Sequence, residues 1–296
     1  MPNDPTHLTG QPFLFIDAQH GLCNRLRAMA SAASIAEATG RELVVIWRPD
    51  HHCDCLIHDL LDYRGLVVSE DKPADVFREG AWRVYNYMEI EPGAAFQAPI
   101  LADDDAEPGG DVYIRSAYTL NSPYQDFSVE DRFLDDLVAA EPVMELVNRV
   151  RHPSSVAAHI RTATGPAFDH LSFEAPGNWP PERHQELVEC RQKSDAERFV
   201  QRLDTLVAEG QADSIFLAAD LPSTYQRFYQ HFGDRVTSLR RTDFDRSTVQ
   251  LQYAMADLLL LTSADRFLGS YGSSFTDVAQ RLALPGRAFE KCGVDF

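Results

Sequence analysis

The sequence predicts an α/β protein of two Rossmann-like, doubly wound domains facing one another across a cleft. Three observations carry that expectation. Short apolar runs near 13–18, 42–47, 156–160, 214–220 and 266–269 alternate with longer segments of helical periodicity, the pattern of buried parallel strands joined by crossover helices. The pattern runs once before Arg151-His-Pro-Ser-Ser and again after it, so residues 1–150 and 151–296 are the expected domains. At 296 residues and 44% hydrophobic, the chain has the length and apolar material for two cores.

In the first half, Phe13-Leu-Phe-Ile-Asp-Ala18 reads as a buried strand and Gln19 to Asn24 as a turn. Arg25 to Thr39 keeps helical spacing through Leu26, Met29, Ala30, Ala33 and Ile35, with Gly40 as its C-cap. Glu42 to Trp47 is a second continuous apolar strand, completing a βαβ unit. A loop follows at 48–55, then a helical turn at 57–61. Strand-like runs recur at 65–68 and 111–115, and Asp126 to Val150 reads as one or two helices, with Pro142 at a break or at a first helical position.

In the second half, Val156-Ala-Ala-His-Ile reads as a buried strand ending in Arg161. A polar, Pro- and Gly-rich loop at 168–183 suits a lid. Ser194 to Glu209 is an amphipathic helix, and Ser214 to Asp220 is a strand that ends on an aspartate. A helix from Leu221 to Phe232, a short strand at 236–239, a helix at 248–261 and a strand at 266–269 follow. Ser270 to Thr276 then turns directly into a helix at 277–282, and amides and hydroxyls at such a start suit a phosphate.

The stretch from Val156 to Gly165 concentrates the chemistry. Side chains alternate along a strand, so His159 and Arg161 share a face with Ile160 opposed. Ligands of open α/β sheets gather at the carboxyl ends of strands. An arginine there offers bidentate, charge-assisted hydrogen bonds to a phosphate and never deprotonates. The ordinary role of a strand-end arginine is a salt bridge, and this stretch alone leaves both readings open.

Net charge of −18 argues against a general nucleic-acid or anionic-membrane surface. It also means that an anionic ligand requires a local gathering of arginines. The amino terminus lacks the basic and apolar regions of a signal peptide, and the run Ala254 to Thr262 is too short to span a bilayer. The five cysteines, odd in number and scattered, point to a reduced, cytoplasmic setting. His51, His52, Cys53, Cys55 and His58 invite a zinc reading, but Cys-x-Cys is too tight and no second pair follows. Asp103 and Asp105 form an Asp-x-Asp in a Pro/Gly loop without a preceding strand, which favours a solvated turn.

Four segments in order resemble a known family: Gly21-Leu-Cys-Asn-Arg-Leu-Arg27, His159-Ile-Arg161, Ile215-Phe-Leu-Ala-Ala-Asp220, and Asp257 through Ser273-Ser274-Phe275. Together they resemble the fucosyltransferase superfamily of nodulation-type α1,6-, plant cell-wall and protein O-fucosyltransferases. The resemblance implies a GT-B-like fold and an inverting, metal-independent glycosyltransferase. Its donor would be a GDP-sugar, usually GDP-fucose, held mainly by the second domain, and its acceptor a glycan or other hydroxyl. It further implies that Arg161 neutralises the β-phosphate and that His159 orients the donor or contacts the nucleotide. Asp220 and Asp257 would lie near guanine or ribose, and Ser273, Ser274 and Phe275 around the diphosphate. Asn24, on the opposing domain, would reach the donor across the cleft.

One departure stands out: Thr162-Ala-Thr occupies the place where family members often continue with a second arginine and an aspartate. No motif fixes the general base, and His20 and Asp17 are the candidates by position. Alternative readings are a different nucleotide-sugar transferase, a phosphoryl enzyme using the same arginine, or a non-catalytic nucleotide- or sugar-binding protein. Gly21-Leu-Cys-Asn is neither Gly-x-Gly-x-x-Gly nor a P-loop, and Tyr271-Gly-Ser-Ser-Phe is no nucleophile elbow. Cys23 beside Arg25 fits small-residue packing better than a nucleophile.

Overall fold

A computed structural model describes residues 10–102 and 109–296. Residues 1–9 and the Asp103/Asp105 loop lie outside the described residues. The chain divides into two compact units, the first comprising residues 1–49 and 63–137 and the second residues 50–62 and 138–296.

In the first unit, β1 (Phe13–Ala18), β2 (Glu42–Ile46), β3 (Leu66–Val68), β4 (Arg83–Asn86) and β5 (Val112–Ser116) form a parallel sheet. Its order is β3-β2-β1-β5-β4. The chain steps outward from β1 to β3, then crosses to β4 and returns to β5, so the direction of winding reverses between β1 and β5. Helix α1 (Leu22–Ala38) packs along β1 and β2. It starts earlier than the apolar pattern predicts because Gly21 carbonyl accepts the first-turn amides of Asn24 and Arg25 at 3.0 and 3.1 Å. Helix α2 (Asp71–Gly80) lies against Phe15, Val44, Ile46 and Tyr113, with Phe77 stacked on Phe15 at 4.6 Å. Helix α3 (Phe127–Asp135), capped by Asp126, packs on α1.

In the second unit, β6 (Val156–Ile160), β7 (Ile215–Ala219), β8 (Val236–Thr237), β9 (Arg266–Gly269) and β10 (Ala288–Lys291) form another parallel sheet. Its order, β10-β9-β6-β7-β8, places the reversal between β6 and β9. The helices are α4 (Glu141–Val147), α5 (Pro181–Lys193), α6 (Ala196–Ala208), α7 (Pro222–Phe232), α8 (Thr248–Thr262) and α9 (Ser274–Arg281). Ala158 and Ile160 of β6 join Phe199 and Leu203 of α6 and Phe228 of α7 in one core. His159, the residue between them, faces α9 instead. The expected alternation along this strand is present.

The division differs from a single boundary at residue 150. Backbone hydrogen bonds explain why. Asp54 amide donates to Arg246 carbonyl at 3.0 Å, Ala140 amide to Leu60 carbonyl at 2.9 Å, and Asp62 amide to Val138 carbonyl at 2.8 Å. The loop after β2 therefore belongs to the second unit, and so does α4, which packs on α8. Pro142 sits at the start of α4, so the long helical region at 126–150 is two helices, one in each unit.

Cys53 and Cys55 are buried in that loop with their Sγ atoms 3.7 Å apart, and none of the five cysteines is joined in a disulfide. Among the described residues, no group of three His, Cys, Asp or Glu side chains is placed to hold a metal, and no helix is long and apolar enough to cross a membrane.

Phe199 is wholly buried in the core beneath β6 and β7. Phe199→Ala should cost about 3–5 kcal/mol of unfolding free energy, measurable by urea denaturation. A loss below 1 kcal/mol would contradict this packing.

Candidate active site

The carboxyl end of β6, at the reversal point of the second sheet, is where an open α/β sheet offers a ligand crevice. Three features build it. Arg161 amide donates to Ser270 Oγ at 2.9 Å, and Ser270 Oγ donates to His159 carbonyl at 2.9 Å, which ties the end of β6 to the residue after β9. Arg161 Nη1 donates to Asp220 Oδ2 at 2.7 Å. Asp220 Oδ2 also accepts the amides of Thr162 and Ala163 at 2.9 and 2.7 Å. One carboxylate thus fixes both the guanidinium and the loop that follows it.

Glu174, from the segment between β6 and α5, takes the other side of the guanidinium through Arg161 Nη2. Two further, partly buried arginines share the cluster. Arg191 on α5 has burial and then Arg161 as the main causes that pull its guanidinium down to about 10. Arg246, whose guanidinium lies 4.3 Å from the Phe173 ring centre, is pulled down to about 10 for the same reasons. Both remain cations at neutral pH. Burial pushes the Asp220 carboxyl up, but Arg161 and the Ala163 amide outweigh it and hold it below the usual carboxylate range. Three arginines therefore surround two carboxylates, a local excess of one positive charge in a strongly acidic chain. Arg191 Nη1 is buried without a hydrogen-bond partner.

His159 Nδ1 is 2.9 Å from Thr276 Oγ1, and its ring stacks on Phe275 with centres 4.8 Å apart. Burial pulls this imidazole down to about 3, so it is neutral across the physiological range. Ser273 caps α9 without a side-chain bond to the helix amides, and Ser274 opens the helix. Gly272, at φ +59°, makes the preceding turn, and a Cβ there would meet Cys190 Sγ at 2.7 Å. Asp257, on α8, pairs with Arg241 through Oδ2, while its Oδ1 is buried without a hydrogen-bond partner. Burial raises the Asp257 carboxyl to about 6 against the pull of Arg241. Arg241 in turn lies 4.8 Å from the Tyr253 ring centre.

The structure thus brings His159, Arg161, Asp220, Phe275 and the start of α9 to one end of one sheet. Glu174, Arg191, Arg241 and Arg246 are the partners that motif reading missed. They carry no strand-end signal, and only the folded backbone puts them beside Arg161 and Asp257.

In the first unit the positional candidates fare differently. Asp17, on the last turn of pleat in β1, is fully buried. Its Oδ2 accepts from Arg115 at 2.6 Å, Arg48 at 2.8 Å and Tyr113 at 3.0 Å, and its Oδ1 accepts from Gln19 at 2.6 Å. A carboxylate enclosed by four donors has no free access to an incoming hydroxyl. His20 follows β1 in a left-handed conformation, φ +63°, with its ring edge toward Tyr118 and its carbonyl accepting Arg25 Nε at 2.8 Å. Asn24 lies in the first turn of α1 and is partly exposed.

No family model matches the sequence, and no curated protein sequence matches it either. Solved structures do match. POFUT1 in its apo form is 12% identical, with 97% of this chain and 99% of that chain covered and a TM-score of 0.58. The chain has its fold. POFUT1 in complex with GDP-fucose is 13% identical over 96% of this chain and 98% of that one, with a TM-score of 0.54. Fucosyltransferase NodZ from Bradyrhizobium is 13% identical, covering 93% of this chain and 94% of that chain at a TM-score of 0.56. The similarity spans both units, in accord with the GT-B-like class of two Rossmann-like domains that the motifs implied.

The buried imidazole gives a pH test with a definite sign. Unfolded histidine titrates near 6.5 and folded His159 near 3, so between those values the unfolded chain binds the extra proton. His159 therefore makes stability fall as pH drops below about 6.5, at a slope approaching about 1.4 kcal/mol per pH unit. The His159→Gln variant should lack that component of the unfolding profile. The His159 ring resonances should stay those of neutral imidazole from pH 8 to pH 4, and a midpoint near 6 would contradict the burial.

Proposed function

We propose that the chain is an inverting, metal-independent glycosyltransferase that moves fucose from GDP-fucose to the hydroxyl of a glycan or other acceptor. The observation that carries this is Arg161, held by Asp220 at the mouth of β6 with Arg191 and Arg246 beside it. The supporting facts are the shared fold with structures solved with GDP-fucose and the order of the four motifs. Because Asp220 is engaged with Arg161 and two loop amides, we assign it to positioning the guanidinium. Direct contact with guanine or ribose falls better to Asp257, whose Oδ1 has an unmet hydrogen-bonding capacity.

In this reading the acceptor oxygen bonds to the anomeric carbon as the bond from that carbon to the β-phosphate oxygen breaks. Arg161 neutralises the leaving oxyanion, a role worth about 3–4 kcal/mol when one strong donor is removed. Arg191 and Arg246 supply the positive field that a second arginine in the strand motif supplies elsewhere, and Ser273 and Ser274 offer hydroxyls and amides to the diphosphate. Such a set of fixed cations performs the charge neutralisation for which other transferases use a divalent ion. His159 is neutral and packed, which suits it to orienting Phe275 and the start of α9. The acceptor proton needs a base. With Asp17 enclosed by donors, we assign that role to His20 of the first unit. Five cysteines without a disulfide among them fit a reducing, cytoplasmic compartment.

Calorimetry with EDTA present should find GDP binding by the wild type and none by UDP at the same concentration. Arg161→Ala should lower transfer on the order of 10²–10³-fold, and Arg191→Ala should weaken GDP binding about tenfold with the fold intact. Equal binding of UDP, or unchanged GDP affinity in Arg161→Ala, would refute the donor assignment.

A further inference from the structure

The first unit contains its own cavity of about 430 Å³, a volume within the range of small-ligand clefts. It lies at the carboxyl end of the first sheet beneath α2, and Asp17, Arg48, Tyr113 and Arg115 are among the residues that line it. Nothing in the donor chemistry above uses this space.

Its polar groups are unusually fixed. Arg115 donates Nε and Nη2 to the two oxygens of Glu91 at 2.8 and 2.7 Å, and Nη1 to Asp17 at 2.6 Å. Arg48 donates to Asp17 and to Asp71, both at 2.8 Å. A guanidinium carries five N–H groups. Five less three engaged leaves Arg115 two, and five less two leaves Arg48 three. Glu91 Oε1 accepts only from Arg115, and the Tyr113 hydroxyl, donating to Asp17, keeps its acceptor lone pairs. Spare donors and spare acceptors therefore sit side by side, held in place by the pairings behind them.

The charges in the lining balance. Arg48, Arg78 and Arg115 oppose Asp17, Asp75 and Glu91, three against three. The arginine cluster of the second unit keeps a positive excess, as a diphosphate requires; this cavity does not. A ligand here is selected by hydrogen bonding without net charge. Ring hydroxyls, each able to donate once and accept as well, match such an alternation, whereas an apolar ligand would strand these groups.

We propose that this cavity binds a neutral, polyhydroxylated sugar ring through the spare N–H groups of Arg48 and Arg115 and the carboxylate of Glu91. The binding stands on the cavity alone; its role as the seat of the acceptor rests on the transferase reading.

Saturation-transfer NMR and calorimetry on the full chain test it with glucose, galactose, mannose and N-acetylglucosamine, against galacturonic acid and glucose 6-phosphate. At least one neutral sugar should bind at millimolar concentration and more tightly than the anionic ones. Glu91→Gln and Arg48→Lys should each weaken that binding at least tenfold, whereas Glu79→Gln, on α2 outside the lining, should not. Unfolding midpoints check that the variants fold, and if Arg48→Lys does not, Glu91→Gln decides. No neutral sugar bound by the wild type, preference for the anionic sugars, or undiminished binding in Glu91→Gln would each overturn the proposal. GDP titration of the same wild-type sample separates the two ideas. Sugar binding without GDP binding removes the transferase reading and leaves the cavity assignment standing; GDP binding without sugar binding does the reverse.

Discussion

The contact on which the second unit's chemistry depends is the pair between Arg161 and Asp220. Both groups lie at the ends of neighbouring strands, and each would be costly to bury alone. Their mutual attraction is reinforced by the amides of Thr162 and Ala163, which converge on the same Asp220 oxygen. The result is a guanidinium whose position is set by backbone rather than by a flexible surface partner. Glu174 then completes the neutralisation from the segment ahead of α5. An anion arriving at Arg161 competes with Glu174, a single carboxylate on a loop, and not with the strand-end aspartate that holds the arginine still.

The first unit solves a related problem with the roles exchanged. There the aspartate, Asp17, stands at the end of the central strand, and Arg115 comes from the adjacent strand in direct register with it. In the first sheet the ion pair spans the reversal in winding between β1 and β5, whereas in the second it joins β6 to β7, on the other side of β6 from the reversal between β6 and β9. Leaving polar groups uncovered at a reversal is a consequence of topology. The two units differ in what they add: further arginines in one, balancing carboxylates and a tyrosine in the other.

Elements that bury continuous apolar surface were legible in the sequence. β1, β2, β6, β7 and β9 read as apolar runs, and α1, α6, α7 and α8 as helical patterns, because the core dictates those residues. The elements that escaped bury little. Only Ala74 is buried in α2 and nothing in α5, while β4 and β10 are edge strands of mixed polarity. At the site, His159 and Arg161 were readable because a strand ends there. Arg191 and Arg246 were not, since a helix with no buried face and a loop leave no periodic trace. The membership of residues 50–62 in the second unit was equally hidden, being written in backbone hydrogen bonds that any sequence could make.

That last feature has a consequence for how the molecule can be taken apart. The chain passes between the units at residues 49/50, 62/63 and 137/138, so neither unit is an uninterrupted stretch of sequence. A fragment ending at residue 137 carries the 50–62 loop without the β-bridge partners Ser247 and Ala139 that hold it. A fragment beginning at 138 lacks Cys53, Ile57 and Leu60, all wholly buried. Gene halves therefore do not coincide with folding halves. Exchange of one domain between relatives, an easy route to new specificity in proteins with a single crossing, requires here that the loop after β2 travel with the partner it packs on.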